Sequence, residues 1–503
     1  MASPTRWVSF GIELVGWTVR RVPHWITRVE RSHWRRFIVS TIAGLLILGV
    51  MRVPLVDRSM LGDLDRDMMQ TAFKMRADVV TGVGDPVAFI DVDDATIASG
   101  LRAPPGQYAS PPATAPRAII AGVLEYLRTS PPGRGPRVVL VDVDLATPTP
   151  GDEAAVARLR EVLTAWANSP NAPPLLLARE SYPSRILGGG GNGLVLPASP
   201  IDDIVNPAPN MFWVQTKMLA DQNAVVREFL PYECISGARG TEPLFNASML
   251  AYGFLEGASI PPRSNVQRWI ERAEQNCASG TAAQPILHGE LINYHMSLTR
   301  TSRNQVWPNL PPTWRGFRTC GANADPTMFR QLSASDVATA GPDASHEILC
   351  GRVVILGGTN LVASDFQQTP LDDMAGPMIL ANTIRGLQMS NGGLTRVPLW
   401  IQLTVLLVVS LAITAGFTLS RMIRAHYLSL RTRHKQSSFI VRLSLLPINP
   451  LVLNWLFALG AHWMGIVLLL ISLDQGYWGY LSAPAFAAAA TGAMQEFADD
   501  DED

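Results

Sequence analysis

The sequence predicts an α/β domain, with a mainly parallel sheet and flanking helices, joined to four α-helical transmembrane spans. Short apolar strands alternate with amphipathic helices between residues 85 and 178, which is typical of a parallel sheet covered by helices. Four apolar runs are long enough to cross the hydrocarbon core of a bilayer. Basic residues cluster in two of the segments that flank these runs.

The four predicted transmembrane helices cover residues 37–56, 399–420, 453–473 and 477–495. Arg52 lies near the end of the first run, where its side chain can extend to the headgroups. A cleaved signal peptide is the alternative for this run, but an Arg-rich segment precedes it and no A-x-A site follows it. The last run is rich in alanine, and an interfacial helix is its alternative.

Basic residues predict the orientation of these spans. Seven arginines lie in residues 1–36, and residues 421–450 hold six basic residues and no acidic one. Because basic loops remain on the cytoplasmic side, both segments are expected there. Residues 57–398 then lie outside, and the acidic tail at residues 496–503 returns to the cytoplasm. The expected location is a bacterial inner membrane, with both termini cytoplasmic and the lipid bilayer as a partner.

Composition excludes several classes of function. The formal net charge is -1, and charged residues make up 17% of the chain. Nucleic-acid binding usually needs a concentrated basic face, so no nucleic-acid partner is expected. The sequence has no G-x-S-x-G, H-E-x-x-H or kinase signature, and its glycine-rich run at residues 188–191 lacks the Lys-Ser/Thr of a phosphate loop. We therefore expect no enzyme activity and no cofactor.

Hydrophobic periodicity predicts the elements of the external segment. Strands are expected in VAFIDVDD, RVVLVDVD, PPLLLARE and, near the end, RVVILGG. Helices are expected in PRAIIAGVLEYLRTS, DEAAVARLREVLTAWANS and PMILANTIRGLQMS, and in LGDLDRDMMQTAFKMRADVV directly after the first span. The middle is less regular: EPLFNASMLAYGFLE and NVQRWIERAEQN fit helices, PILHGELINYHM fits a strand, and LGGGGNGLVLPASP fits a loop. Residues 261–350 otherwise show no clear period.

All four cysteines, Cys234, Cys277, Cys320 and Cys350, fall in the predicted external segment. An even number in an oxidising compartment predicts two disulfides, for which three pairings are possible. The pairs nearest in sequence, Cys234 with Cys277 and Cys320 with Cys350, are predicted. The absence of a C-x-x-C pair argues against a zinc site, and free buried thiols are the alternative.

Two predicted strands end in the pattern D-x-D, formed by Asp91 with Asp93 and by Asp142 with Asp144. Ligands bind beyond the carboxyl ends of parallel strands, so these acids are candidates for a site. The favoured interpretation is that they cap turns at the sheet edge. A divalent-metal site and a phosphatase site of the haloacid-dehalogenase type are the alternatives. The tentative ligand-binding residues are Asp93, Asp94, Asp142, Asp144, Asp365 and Thr369.

The phosphatase interpretation has two weaknesses. That family has a threonine two residues after its second aspartate, where this chain has Ala95 and Ala146. The pattern also occurs twice, whereas one nucleophile is needed. The long turn before the last helix is a second candidate, in which Asp365 and Thr369 are expected to brace the backbone, with direct ligand contact as the alternative.

Several segments resemble one known family. They are DRDMMQTAFKMR, VAFIDVDDATIASG, VVLVDVDLATPTPGDEAAVARL and DQNAVVREFLP. The strongest likeness is GRVVILGGTNLVASDFQQTPLDDMAGPMILANTI, which is similar to the family's closing motif through Gly351, Gly357, Thr359, Asp365, Thr369, Pro370, Gly376, Ala381 and Asn382. In order, spacing and membrane plan, the chain resembles the second class of CHASE domains, which are extracytoplasmic sensory modules.

The resemblance implies a signal receptor subunit with a periplasmic sensory domain over residues 57–398 and a small external ligand. No fused cytoplasmic output domain is expected, so a separate membrane or cytoplasmic signalling protein is the expected partner. A structural or assembly subunit of an envelope complex is the alternative. The chain departs from the family where a Trp-Pro-x-Arg signature is missing and where Leu380 replaces the usual histidine.

Overall fold

Short apolar strands form the centre of the fold, in a computed structural model of the chain. Strands such as Val87–Asp91 and Val353–Gly357 are buried along their whole length, as a sheet covered on both faces requires. The strands, in chain order, are β1 Val87–Asp91, β2 Val138–Asp142, β3 Leu175–Ala178, β4 Tyr182–Pro183, β5 Leu194–Val195, β6 Met211–Val214, β7 Met218–Ala220, β8 Val226–Phe229, β9 Tyr232–Gly237, β10 Gly240–Phe245, β11 Glu290–Leu291, β12 Phe329–Ser333, β13 Val353–Gly357, β14 Phe366–Thr369, β15 Asp372–Ala375, β16 Thr395–Arg396 and β17 Tyr477–Trp478.

The helices follow the amphipathic segments. They are α1 Arg117–Arg128, α2 Glu153–Ala167, α3 Asp202–Val205, α4 Ala247–Gly257, α5 Asn265–Ala278, α6 Ala334–Thr339, α7 His346–Leu349 and α8 Gly376–Met389. The structure describes residues 37–39, 41–46, 69–75, 85–94, 96–97, 117–130, 133–146, 153–184, 186, 193–221, 223–237, 240–257, 265–278, 290–292, 294, 296, 320, 328–339, 346–359, 366–390, 392, 395–396, 398–408, 410–411 and 477–478.

The chain divides into two compact units. One consists of residues 70–395 and 473–477 and contains the sheet. The other consists of residues 1–69, 396–472 and 478–503.

Six parallel strands form the main sheet, in the order β12-β1-β13-β2-β3-β6. The predicted mainly parallel α/β fold is therefore confirmed. Although β13 comes late in the chain, it lies between β1 and β2 and pairs with both. Its last residue, Gly357, is level with Asp91 on one side and with Asp142 on the other. The two D-x-D segments and the closing motif thus meet at one edge of the sheet.

Helices cover both faces of this sheet. On one face, apolar side chains such as Val92, Val141 and Leu177 pack with α1, α2 and α6. Trp166 of α2 is fully buried there and donates its indole N–H to the carbonyl of Pro173 at 3.0 Å. On the other face, α8 contacts β1 and β13, and α4 contacts β2 and β3. The domain therefore has three layers, with the sheet between two layers of helices.

Smaller sheets extend from the carboxyl edge of the main sheet. One has the order β10-β9-β5-β4, another has the order β11-β8-β7, and β14 and β15 form a hairpin. Gln215, directly after β6, forms a bridge with Asn246, directly after β10. Val225, directly before β8, forms a bridge with Gln368 of β14. These bridges hold the smaller sheets beside the strand ends.

Two expectations for the middle of the chain were wrong. The segment EPLF does not belong to a helix but to β10, where it pairs in antiparallel register with β9, and the helix begins only at Ala247. The segment predicted as a glycine-rich loop contains β5, which pairs with β4 and β9. In both places, pairing with a strand distant from the local pattern determines the structure.

The structure joins Cys234 to Cys277 and Cys320 to Cys350, which is the pairing predicted from the sequence distances. The first disulfide connects β9 to α5. Around it, Cys277 packs with Tyr232 and Ala273, with Phe245 at the border of the cluster. The disulfide thereby attaches a helix of the irregular middle to the sheet that contains β9.

The structure describes only parts of the predicted transmembrane segments. Residues 37–39, 41–46, 399–408 and 410–411 are helical. Among the described residues, no helix has the length and apolar character needed to cross a bilayer. The predicted span over residues 453–473, nearly all of the one over 477–495, and the segments 1–36, 421–450 and 496–503 lie outside the described residues.

Gly357 provides a test of the packing at the sheet edge. A Cβ at this position would overlap the ring of Pro377 in the first turn of α8 and would lie 3.6 Å from the Cβ of Asp142. Gly357→Ala should therefore lower the free energy of unfolding by about 1–3 kcal/mol, the usual cost of overpacking. Denaturant unfolding of the full chain measures it. Adding Pro377→Ala should restore part of the loss, and a loss that is fully additive would contradict the proposed overlap.

The disulfides provide a second test. Replacing Cys234 and Cys277 together by serine should lower stability by about 2–4 kcal/mol, because the unfolded chain gains conformational freedom. Reducing agent should lower the melting temperature of the wild type further than that of this double variant, which retains only the Cys320–Cys350 bond. Peptide mapping that recovers four free thiols would contradict the pairing.

Candidate ligand-binding site

A cavity of about 380 Å³ lies at the carboxyl edge of the main sheet. Its lining comes from the ends of β2 and β3, the residues after β6, the β7–β8 hairpin and the first turns of α8. The volume falls within the range of small-molecule pockets, roughly 300–1,000 Å³. The position also agrees with the rule that open α/β sheets bind ligands beyond the carboxyl ends of their strands.

Three carboxylates line the cavity. Asp142 ends β2, Asp144 follows two residues later, and Glu180 lies two residues beyond β3. Asp144 and Glu180 are exposed. The hydroxyl of Tyr182 donates a hydrogen bond to Glu180 at 2.8 Å, and this bond raises the pKa of Tyr182, with burial and the negative charge of Asp144 adding to the effect. Asp144 and Glu180, which follow different strands, therefore both raise the pKa of Tyr182.

Two basic residues of the lining are already paired with acids. Arg179, directly after β3, bonds Asp202 at 2.6 and 3.1 Å, and its guanidinium lies 4.5 Å from the ring centroid of Trp213. The Lys217 ammonium bonds Glu233 at 2.8 and 3.0 Å. Neither Asp202 nor Glu233 belongs to the lining. The positive charges at the cavity are thus balanced from behind it.

Ser181 completes the pairing of Lys217. Its hydroxyl donates to Glu233 at 2.6 Å and accepts from Lys217 at 3.0 Å. Gln215, which is 1% exposed, accepts the backbone N–H of Lys217 at 2.6 Å. These bonds fix the backbone direction between β6 and β7, and with it the position of the basic wall.

Helix α8 forms the remaining wall. Gly376 begins the helix and lines the cavity, and the preceding residue, Ala375, provides no side-chain cap. The uncapped end of a helix carries partial positive charge from its first N–H groups. Ile379 and Leu380, one turn further on, add hydrocarbon to the lining. The cavity therefore has an acidic side, a basic side and an apolar wall.

Asp91 lies at the same sheet edge but does not line the cavity. It is 2% exposed and accepts hydrogen bonds from the Thr359 backbone N–H at 2.9 Å, the Thr359 hydroxyl at 2.6 Å and Gln331 at 2.7 Å. Burial raises the pKa of Asp91, although the bonds from Thr359 and Gln331 oppose that shift. The carboxylate connects the end of β1 to the segment that follows β13.

The other sequence-predicted residues make turn contacts. Asp93 accepts the Thr96 N–H at 2.7 Å, Asp144 accepts the Ala146 N–H at 2.8 Å, and Thr369 donates to the carbonyl of Asp372 at 2.6 Å. Asp94 is exposed. Asp365 lies outside the described residues. Of the six tentative ligand-binding residues, the structure thus brings Asp142 and Asp144 to the cavity, and it places Asp93, Asp94 and Thr369 elsewhere.

The closing motif has a structural role at its far end. Asn382 of α8 is fully buried, accepts the Met296 N–H at 2.8 Å and donates to the Met296 carbonyl at 3.0 Å. The Asn382 amide thus bonds both backbone groups of Met296, as a neighbouring strand would in a sheet. Asn382 and Thr369 thus bond backbone groups through their side chains, whereas Gly376 of the same motif lines the cavity.

Sequence reasoning missed Arg179, Glu180 and Lys217. They follow β3 or lie between β6 and β7, outside any motif, so only the folded arrangement brings them together. Within the described residues, no three His, Cys, Asp or Glu side chains are close enough together to hold a metal ion.

The β7–β8 hairpin connects the cavity to the start of the domain. Asp221 in its turn accepts the N–H groups of Asn223 and Val225 at 2.9 and 3.0 Å and the Arg227 Nε–H at 2.7 Å. Burial opposes ionisation of Asp221, but these bonds lower its pKa. The Arg227 guanidinium also donates to Gln70 at 3.3 Å, in the helical residues 69–75.

Asp91 gives a test based on pH. Its folded-state pKa lies above the ordinary value of 3.8, so the folded chain holds the proton more tightly than the unfolded chain. Its contribution to stability is greatest below about pH 4 and is lost as the pH rises through the raised folded pKa. Asp91→Asn should remove this loss of stability, because an amide does not ionise as the pH rises. The new N–H group has an acceptor, since Gln331 Oε1 has no partner in the described structure and can turn toward it by an amide rotation.

The comparison with Asp91→Ala separates charge from hydrogen bonding. This variant removes the carboxylate to which both Thr359 donors bond and should lower stability by about 1–3 kcal/mol throughout the pH range. Denaturant unfolding of the full chain at several pH values measures both variants. A pH profile of Asp91→Asn that is parallel to that of the wild type would contradict the raised pKa.

Comparison with known proteins agrees with the geometry. Neither the curated proteins nor the solved structures give a match. The sequence model of the CHASE2 domain matches residues 42–416, which is well over half of the chain and includes the whole parallel sheet and every residue of the cavity. CHASE2 domains are sensory domains, and the chain belongs to the CHASE2 family.

Proposed function

We propose that this protein is an inner-membrane receptor subunit whose external CHASE2 domain binds a small molecule in the cavity and signals to a cytoplasmic protein. The observation that carries the proposal is the position of the β7–β8 hairpin. Its residues Lys217, Met218, Ala220 and Val226 line the cavity. The same hairpin contacts the helical residues 69–75, which follow the first predicted span.

Two further contacts strengthen the connection from the hairpin to this helix. Tyr294 is fully buried and donates its hydroxyl to the carbonyl of Val226 at 2.9 Å. Its ring lies 5.9 Å from that of Phe73, at an edge-to-face angle. A ligand that moves the hairpin would therefore act on the helix through these side-chain contacts.

Membrane integration is supported by the exposed apolar surface of the helical residues 37–39, 41–46, 399–408 and 410–411. Leu46 is 64% exposed and Trp400 is 68% exposed, and eight more large apolar side chains of these segments are at least 38% exposed. Gly44 packs directly against Leu406, as small residues do where two membrane helices approach closely. Contiguous exposed apolar surface of this kind suits lipid, and the basic residues of 1–36 and 421–450 suit a cytoplasmic location.

A role without catalysis is proposed for the acids of the sheet edge. Asp91, the first aspartate of one D-x-D pattern, is 2% exposed and accepts hydrogen bonds on both oxygens, which does not suit a nucleophile. Asp93 and Asp144 each hold a turn through a backbone N–H. The basic segment 421–450 is the proposed contact with the cytoplasmic signalling partner, because it has six basic residues and no acidic one.

The topology and the partner are tested together. Reporter fusions after Trp34 and near Lys435 should report the cytoplasm, and a fusion near Gly190 should report the periplasm. Proximity labelling from a cytoplasmic fusion near Lys435 should recover a signalling enzyme such as a kinase or cyclase.

Two results would contradict the proposal. A cytoplasmic signal at Gly190 would place the sensory domain on the wrong side of the membrane. Recovery of envelope-assembly proteins without a signalling enzyme would favour a structural subunit of an envelope complex. A matched fusion with Arg431 and Arg433 replaced by glutamine should recover less of the partner, while the four basic residues that remain keep the segment cytoplasmic and the Gly190 reporter stays periplasmic.

A further inference from the structure

Two turns of the smaller sheets contain residues in a backbone conformation that favours glycine. Among the described residues, two that are not glycine have a positive φ: Ala224 at 60° and Asp372 at 87°. Ala224 lies in the turn between β7 and β8, and Asp372 begins β15 after the turn that follows β14. A residue with a side chain is strained in this conformation, because its Cβ crowds the backbone. Both strained positions therefore belong to hairpins.

Neither side chain makes a contact that offsets this strain. Ala224 is exposed, so its methyl group gains no burial. The Asp372 carboxylate is 77% exposed and lies 3.8 Å from the Lys74 ammonium, and an exposed ion pair of this kind contributes little to stability. Hydrogen bonds of the turns hold both residues in place. The Ala224 N–H donates to the carbonyl of Asp221 at 3.0 Å, and the carbonyl of Asp372 accepts the Thr369 hydroxyl at 2.6 Å. The hairpins themselves thus maintain the strain.

The two hairpins are joined to each other and share the cavity. Val225, in the first hairpin, forms a parallel bridge with Gln368 of β14. Ala220 and Val226 of the first hairpin line the cavity, and so does Gln367 of the second. Both hairpins therefore form part of the cavity wall, and a rearrangement of either one changes the shape of that wall.

Both hairpins also contact the helical residues 69–75. Arg227 of β8 donates to Gln70 at 3.3 Å, and the Asp372 carboxylate approaches Lys74. Gln70 and Lys74 are four residues apart, so they lie on one face of the helix. One face of this helix therefore contacts two hairpins that are joined to each other.

We infer that the β7–β8 and β14–β15 hairpins form one two-state switch, in which the strain at Ala224 and Asp372 is released when the pair rearranges and changes its contacts with residues 69–75. Strain raises the free energy of the described conformation and so brings a second conformation with relaxed turns closer in free energy. A small molecule in the cavity then selects between the two conformations by binding one of them more tightly. The inference rests on the proposed sensory function and names the moving part of that site.

The experiment measures hydrogen exchange of backbone amides in the full-length chain in detergent, without added ligand. Ala224→Gly relaxes the described conformation and should therefore lower the population of the second one. Exchange should slow by about threefold or more in the β7–β8 hairpin. Because the hairpins rearrange together, exchange should slow by a similar factor in β14, β15 and residues 69–75, none of which contains the substitution.

The reciprocal variant is Asp372→Gly, which should slow exchange in the β7–β8 hairpin and in residues 69–75. Because this variant also removes the acid beside Lys74, Lys74→Gln is the matched control. It loses the same ion pair and leaves Asp372 in place. Ala198→Gly is the control for the change from alanine to glycine, because Ala198 is exposed and does not have a positive φ. Neither control should slow exchange in either hairpin.

Four results would overturn the inference. Slowing that is confined to the substituted hairpin would show that the hairpins move independently. Equal slowing in α1, which packs on the opposite face of the main sheet, would show that relief of strain stabilises the whole domain and not a switch. Unchanged exchange in both glycine variants would show that the strain drives no rearrangement. Equal slowing in Lys74→Gln and Asp372→Gly would assign the effect to the ion pair.

Failure of the switch is distinguishable from failure of the receptor function. If one of these four results occurs while the reporter fusions and proximity labelling give their expected results, the receptor function stands and its signal travels by another route. If the Gly190 reporter is cytoplasmic, the receptor function is lost, whatever the exchange of the two hairpins shows.

Discussion

The hydrogen bonds between Asp91 and Thr359 are the contact on which the sheet edge depends. They connect the end of β1 to the chain that leaves β13, across 268 positions of sequence. Strand β13 can then lie between β1 and β2, and Gly357 leaves room for Pro377 at the start of α8. Because Pro377 occupies the space beside Gly357, the start of α8 is fixed there, and α8 forms the apolar wall of the cavity.

The cavity depends on ion pairs that lie behind its surface. Arg179 and Lys217 present their side chains at the lining, but Asp202 and Glu233 determine their orientation and cancel their charge. Side chains outside the lining therefore hold the basic wall of the cavity in position, as supporting residues do in other binding sites.

Hydrophobic periodicity was sufficient to predict the strongly patterned elements, including β1, β2, β3, β13, α1, α2 and α8. It did not predict segments whose structure depends on pairing with a strand distant in the sequence. Strand β12 has the mixed sequence FRQLS because it is an edge strand, and β10 resembles a helix until β9 pairs with it. The two D-x-D segments look alike in sequence, yet Asp91 is buried against Thr359, whereas the equivalent Asp142 is half-buried and lines the cavity.

The late position of β13 has a consequence for how the domain is made. During synthesis the N-terminus emerges first, so β1 and β2 are made long before β13, the strand that lies between them. Until β13 arrives, the facing edges of these two strands have no native partner and are open to incorrect pairing. The native sheet has high contact order, and its completion is expected to be slow. Segments ending before residue 353 therefore cannot form the native sheet, and any factor that shields open strand edges during synthesis would increase the yield of folded protein.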